Sequence, residues 1–199
     1  MLEIQDLTIK TREVLLSDFN TNFEQGNLYG LVATNGSGKT TLFRAMSGLI
    51  KITRGTIKIE KSHSLFYFET NEWLDKNLTG YDYLTFFRKE YKSSVSEKEV
   101  ISFWNMIDYI HIPIKKYSLG MKQRLLISLY QITNADIMLM DEITNGLDEE
   151  SREKLFYLLY KFRSANKIVI LSSHYKEDIL PYCDYLMTLK NKNMEINKL

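Results

Sequence analysis

The chain has 199 residues, 44% hydrophobic and 26% charged, a composition that supports an ordinary globular core without disulfides. Its 26 basic and 25 acidic side chains leave a formal charge of +1, which argues against the clustered basic surface of an extensive nucleic-acid binder. Cys183 is the single cysteine, so an intrachain disulfide is excluded and a reducing compartment fits. No apolar run approaches the roughly 20 residues that span a bilayer. The start, "MLEIQD", is acidic and alternating, unlike a signal peptide. A soluble chain is expected, with any membrane role supplied through a partner.

There are two prolines, Pro113 and Pro181, and no low-complexity linker or repeat, so one domain, 1–199, is expected. "LEIQDLTI" alternates Leu2 with Ile4 and Leu7 with Ile9, a half-buried strand with a slip near Asp6. "VLLSDFNTNF" and "GTIKIEK" also read as strands, with "EQGN" and "TRG" as turns, giving a small antiparallel sheet. "LYGLV" reads as a buried strand and "FRAMSGLI" as a helix. From about Leu78 to Ile110 the pattern is helical and aromatic, and Ser96 with Glu99 spells a capping box opening a helix towards Tyr109. A second helix after "YSLG" gathers Leu125, Leu126, Leu129 and Ile132 on one side. "ADIMLMDE" reads as a buried parallel strand ending in two acids. Asp148 is placed to cap a helix with the stripe Leu155, Leu158, Leu159 and Phe162. "KIVILSSH" is another buried strand and "YLMTLKNKNMEI" a hairpin, so the back half is α/β.

Between the strand "LYGLV" and the helix lies "ATNGSGKTTL", Ala33 to Leu42. This fits a P-loop, in which backbone N–H groups wrap phosphate, a lysine bridges it and a hydroxyl holds Mg²⁺. Gly36 and Gly38 let the backbone approach the phosphates, Lys39 supplies charge, and Thr40 supplies the metal ligand. The following helix aims its positive end at the anion. Ala33 stands at the usual first glycine. In "IMLMDE" a strand delivers Asp141 and Glu142 to its C-terminal end, where open α/β sheets bind ligands. Asp141 is placed to hold Mg²⁺ and Glu142 to act as general base on a water.

"YSLGMKQRL", Tyr117 to Leu125, by itself fits a plain capped basic helix. Together with the P-loop, the Asp-Glu strand, "NGLD" and the strand-terminal His174, it resembles the signature segment of the ATP-binding cassette (ABC) ATPases, over essentially the whole chain. The resemblance implies an α/β P-loop NTPase core with an antiparallel β-subdomain and a small helical subdomain spanning approximately 72–130. It implies that Asn35, Gly36, Ser37, Gly38, Lys39, Thr40 and Thr41 bind the phosphates and Mg²⁺ of ATP. It further implies that Ser118 and Gly120 touch the γ-phosphate held by a second ATPase subunit, that Asp148 crosses to that neighbour, and that His174 orients Glu142. The expected role is an ATPase subunit on the cytoplasmic face of the membrane, driving a separate integral-membrane permease, with no nucleic acid involved.

The sequence departs from the family pattern at several points. Leu119 and Met121 occupy the first-glycine and glutamine places of the signature, and Ile143 stands where a proline usually follows the Asp-Glu pair. Glu69, in "YFETNEW", takes the place of a metal-contacting glutamine. Where the family stacks adenine on a tyrosine, Thr11 or Arg12 falls, and an arginine can stack on a base. "NLTGYDYLTFF" resembles the matching stretch of bacterial export and peptide-immunity subunits. Trp73, Tyr81, Tyr83 and Phe86 are candidates for a groove that receives a permease helix. The alternative is a nucleotide-dependent regulatory or assembly module with little turnover.

Overall fold

A computed structural model describes residues 1–34, 36–173 and 176–199. The strands are β1 (Leu2–Lys10), β2 (Val14–Phe23), β3 (Asn27–Val32), β4 (Arg54–Ile59), β5 (Leu65–Tyr67), β6 (Ile137–Met140), β7 (Ile168–Ser173), β8 (Tyr185–Lys190) and β9 (Asn193–Lys198). The helices are α1 (Lys39–Met46), α2 (Gly80–Glu90), α3 (Glu97–Phe103), α4 (Leu119–Thr133), α5 (Glu149–Ser164) and α6 (Lys176–Ile179).

Among the described residues the strands form two sheets. One is antiparallel, ordered β2-β1-β4, and the other is six-stranded, ordered β5-β6-β7-β3-β8-β9. The larger sheet is parallel except for β9, which returns from β8 as an antiparallel hairpin. The expected slip in the first strand is a bulge: Asp6 sits at φ 48° and the β1–β2 register shifts between Ile4 and Leu7. Asn20 and Asp6 pin it, Asn20 Oδ1 accepting from the Asp6 N–H at 2.9 Å.

The central strands are buried on both faces, which explains their continuous apolar runs. Side-chain alternation sorts them into two cores. On β6 and β7, Ile137, Leu139, Ile168 and Ile170 pack with Phe43 of α1 and with Leu2 and Ile4 of the antiparallel sheet. Met138, Met140, Val169 and Leu171 face the other way, against Leu126 and Tyr130 of α4 and Leu155 and Leu159 of α5. The parallel sheet is therefore a slab between the antiparallel sheet and the helices.

Helix ends follow local chemistry, with one exception. Thr79 and Asp82 form a reciprocal capping box for α2, and Asp148 caps α5 by accepting from the Ser151 N–H at 2.8 Å. Ser96 does precede α3, but its side chain makes no cap hydrogen bond. That helix ends at Phe103 instead of running towards Tyr109. Asn105 takes a left-handed φ of 54°, and the Met106 N–H closes back on the Ile101 carbonyl at 2.9 Å. Asparagine tolerates that conformation better than other side chains, and it overrides the helical pattern that continues to Tyr109.

Candidate functional site

Three neighbouring parallel strands, β6, β7 and β3, bring their C-terminal ends to one edge of the slab. The segment after β3 turns through Gly36 and Gly38, both at positive φ (73° and 100°). At Gly38 the backbone favours glycine, and a Cβ, 2.1 Å from Leu15 Cδ1, would also have to displace that side chain. Gly38 is also the N-cap of α1. The first α1 residue, Lys39, is only 4% exposed, and its ammonium donates to the Ala33 carbonyl at 3.0 Å. It lies 3.8 Å from Glu142 Oε1.

Thr40, one residue further, donates its hydroxyl to Asp141 Oδ2 at 2.5 Å. This contact spans 101 residues of sequence and joins the P-loop helix to β6. The other Asp141 oxygen accepts from the Ser172 hydroxyl of β7 at 2.5 Å, and the same hydroxyl accepts from the Glu142 N–H at 2.9 Å. Burial raises the Asp141 pKa above the usual carboxylate value, and the two hydroxyl donors oppose that shift. Glu142 itself has φ 48°, a left-handed backbone that a non-glycine residue rarely adopts. Its Oε2 accepts from Asn145 Nδ2 at 3.1 Å.

Thr40, Glu69, Gln123, Asp141, Glu142 and Asn145 line one cavity of about 280 Å³. Glu69 reaches it already engaged. Arg44, in the last turn of α1, grips both carboxylate oxygens through Nε and Nη2, and the Tyr67 hydroxyl donates to Oε2 at 3.1 Å. The Arg44 hydrogen bonds depress the Glu69 pKa. Oε1 receives one of these bonds and so keeps acceptor capacity towards the cavity. Among the described residues no cluster of three His, Cys, Asp or Glu side chains forms a metal-binding group. The set that converges here is a hydroxyl and carboxylates, the hard-oxygen chemistry that suits Mg²⁺ completed by waters and phosphate oxygens.

Ser118, Gly120, Asp148, Arg12 and Thr41 do not line this cavity. Ser118 is the exposed N-cap of α4, accepting from the Met121 N–H at 3.2 Å within a capping box. At Gly120 a Cβ would meet only the Gly146 carbonyl, at 3.9 Å, so the fold of the single chain does not require glycine there. The Asp148 carboxylate is shared between its cap bond and Arg124. The Ser151 hydrogen bonds, with Arg124 adding, lower its pKa to about 2. Arg12 is exposed on the β1–β2 turn, three residues before the Leu15 that covers Gly38. Thr41 is half-buried on α1 beside Thr40. Asn35 and His174 lie outside the described residues. Of the four candidate groove aromatics, Trp73, Tyr81 and Phe86 are 44%, 38% and 58% exposed. Tyr83 is instead half-buried, its ring against Phe68 and its hydroxyl accepting from the Asp75 N–H, because α2 turns it inward.

Sequence reasoning passed over Ser172, Gln123 and Arg44. The one visible signal was the hydroxyl pair closing the apolar run "IVILSS". Nothing local distinguishes Arg44 or Gln123 from other polar helix residues.

Comparison with known proteins agrees with this geometry. The family model described as ABC transporter matches residues 16–145. The uncharacterized ABC transporter ATP-binding protein YybJ of Bacillus subtilis (strain 168) is 34% identical, over 100% of this chain and 96% of its own. The lantibiotic transport ATP-binding protein SrtF of Streptococcus pyogenes is 30% identical, over 94% of this chain and 85% of its own. The fold matches a dimeric ATP-binding cassette in a post-hydrolysis state bound to ADP and Pi, with TM-score 0.85 and 20% identity, covering 100% and 99% of the two chains. With the P-loop helix tied to an Asp-Glu strand end and a family match over most of its length, the chain belongs to the ABC transporter family, as an ATP-binding subunit with ATPase activity.

Proposed function

We propose that the cavity between α1, the segment after β5, α4 and the end of β6 is the hydrolytic site, and that its turnover drives a separate integral-membrane permease. The observation that carries this reading is the Thr40–Asp141 contact inside a cavity that Glu142 also lines. In this reading Gly36, Ser37, Gly38, Lys39, Thr40 and Thr41 hold the phosphates, and Asn35 joins them on sequence position alone. Thr40 and Asp141 would hold Mg²⁺, and Glu69 would offer Oε1 as a further acceptor on the same cavity. The ion neutralises phosphate charge when bound. Glu142 takes the proton of the attacking water, and the Lys39 ammonium lies 3.8 Å from its Oε1. His174 orients Glu142 in the same proposal, again from its position in the sequence. Arg12 presents a guanidinium face to the base.

Two copies complete two sites, with Ser118 and Gly120 of each facing the phosphates of the other and Asp148 at the crossing. The unneeded glycine at 120 supports this, since a bare backbone there suits close approach by a second chain. Among the described residues no helix is long and apolar enough to cross a membrane, and the permease is proposed as a separate chain. The exposed Trp73, Tyr81 and Phe86 supply an aromatic contact surface for it. The resemblance of "NLTGYDYLTFF" to export subunits supports an exporter, with the ATPase peripheral on the cytoplasmic face.

The test is Glu142→Gln, which keeps volume but cannot accept a proton. ATP should bind with unchanged affinity while hydrolysis falls by a factor on the order of a hundred or more. Wild-type turnover at saturating ATP would remove Glu142 from the role of base.

A further inference from the structure

Gln123 is 5% exposed on the second turn of α4, and both ends of its amide are used. Nε2 donates to the Ile143 carbonyl at 2.9 Å, and Oε1 accepts from Asn71 Nδ2 at 3.1 Å. Ile143 directly follows Glu142, whose left-handed backbone is held only if its surroundings over-determine it. From the N-terminal side the Ser172 hydroxyl holds the Glu142 N–H. From the C-terminal side the Asn145 N–H holds the Glu142 carbonyl at 3.1 Å, and Gln123 holds the next carbonyl. At 143 a proline would have fixed φ covalently, but isoleucine leaves that torsion free, so the noncovalent restraint carries more of the burden. Asn71 fixes which way the Gln123 amide points: by donating to Oε1 it turns the NH₂ group towards Ile143.

We propose that Gln123 is a positioning residue for Glu142, and that Asn71 sets its orientation. This rests on Glu142 being the general base, and it adds a physical route from the segment carrying Trp73 to the reacting carboxylate. Asn71 and Trp73 share one short turn that opens at Thr70, whose hydroxyl caps it by accepting from the Glu72 N–H. A displacement of that turn rotates or releases the Gln123 amide, and Ile143 and Glu142 lose their restraint. Basal turnover is thus set by the same turn that exposes an aromatic side chain to a partner.

The experiment uses the full chain with Mg-ATP and three variants. Gln123→Met keeps the side-chain length but replaces the amide with an apolar thioether, removing both hydrogen bonds. It should lower kcat ten- to a hundredfold, the scale of a misplaced reacting group, and leave KM for ATP within about twofold. Asn71→Ala, at a partly exposed position, should lower kcat by about three- to tenfold in the same pattern, because the amide is still present but no longer aimed. Without nucleotide, amide hydrogen exchange at residues 142–145 should accelerate in both, while exchange in β3 stays at the wild-type rate. Wild-type kcat in a folded Gln123→Met protein overturns the proposal, as does a loss that appears equally in KM. If Gln123→Met does not fold, Asn71→Ala decides alone, and unchanged kcat with unchanged exchange at 142–145 overturns it. Glu142→Gln separates this from the underlying reading. An inactive Glu142→Gln with a fully active Gln123→Met sinks only the positioning role, whereas an active Glu142→Gln sinks the base assignment itself.

Discussion

The Ser172 hydroxyl donates to Asp141 Oδ1 at 2.5 Å while accepting from the Glu142 N–H at 2.9 Å, so one buried side chain orders both acids of the β6 end. Burial raises the Asp141 pKa, and Ser172 is the largest contribution opposing it. Ser172→Ala should therefore push that pKa further up, because the charged form loses a donor. The Asp141 carboxyl titration, followed by NMR without metal, should move to higher pH. Stability should fall by about 2 kcal/mol, as for a lost hydrogen bond to a charged group. An unmoved titration, with full stability, would show that Thr40 alone sustains Asp141.

Asp148 offers a second pH signature. Its folded pKa is lowered to about 2 by the Ser151 bonds first and by Arg124 after them. For a carboxylate depressed on folding, the stabilisation is fully present above the unfolded pKa, about 4. It is lost as pH falls from there through the folded value. Denaturant melts between pH 5 and pH 2 should show a stability decline that Asp148→Asn lacks in part. The group is largely solvated, so the difference should be modest, and equal slopes in both proteins would mean that the cap does not titrate as described.

Association is best probed at Gly120. A side chain there has room within one chain, since its Cβ would stand 3.9 Å from the Gly146 carbonyl, and helix propensity would improve. Gly120→Leu should leave the monomer as stable as wild type or slightly more so. Combined with Glu142→Gln it should abolish the ATP-dependent dimer that light scattering detects for Glu142→Gln alone. Dimerisation of the double variant at the same ATP concentration would place the interface elsewhere.

The exposed aromatics give the cellular prediction. Alanine at Trp73, Tyr81 and Phe86 removes partly exposed rings and should cost the isolated chain little stability. Membrane fractionation in cells carrying the cognate permease should fall at least about tenfold, the scale of losing one interface anchor. ATP binding should stay intact. Retained fractionation would move the permease contact to another face.

Local chemistry was legible in the sequence wherever it depends on residues a few positions apart. Alternating residues located β1, continuous apolar runs located β6 and β7, spacing located the buried faces of α4 and α5, and Asp148 announced its cap. The P-loop glycines and the Asp-Glu strand end were readable because each needs only its own segment to place phosphate-binding and metal-binding groups at a strand terminus. The Ser96 cap and the reach of α3 were misread for the complementary reason. A capping motif states what a side chain can do, and the left-handed Asn105 decided where the helix stopped. Tertiary structure alone brought Arg44 to Glu69, 25 residues apart, Ser172 to Asp141, 31 apart, and Asn71 to Gln123, 52 apart. Those partners are set by how the strands are ordered and how α1 and α4 cross their ends, and no periodicity encodes that. The sequence named the acids of the site, and only the folded chain decided which donors hold each of them.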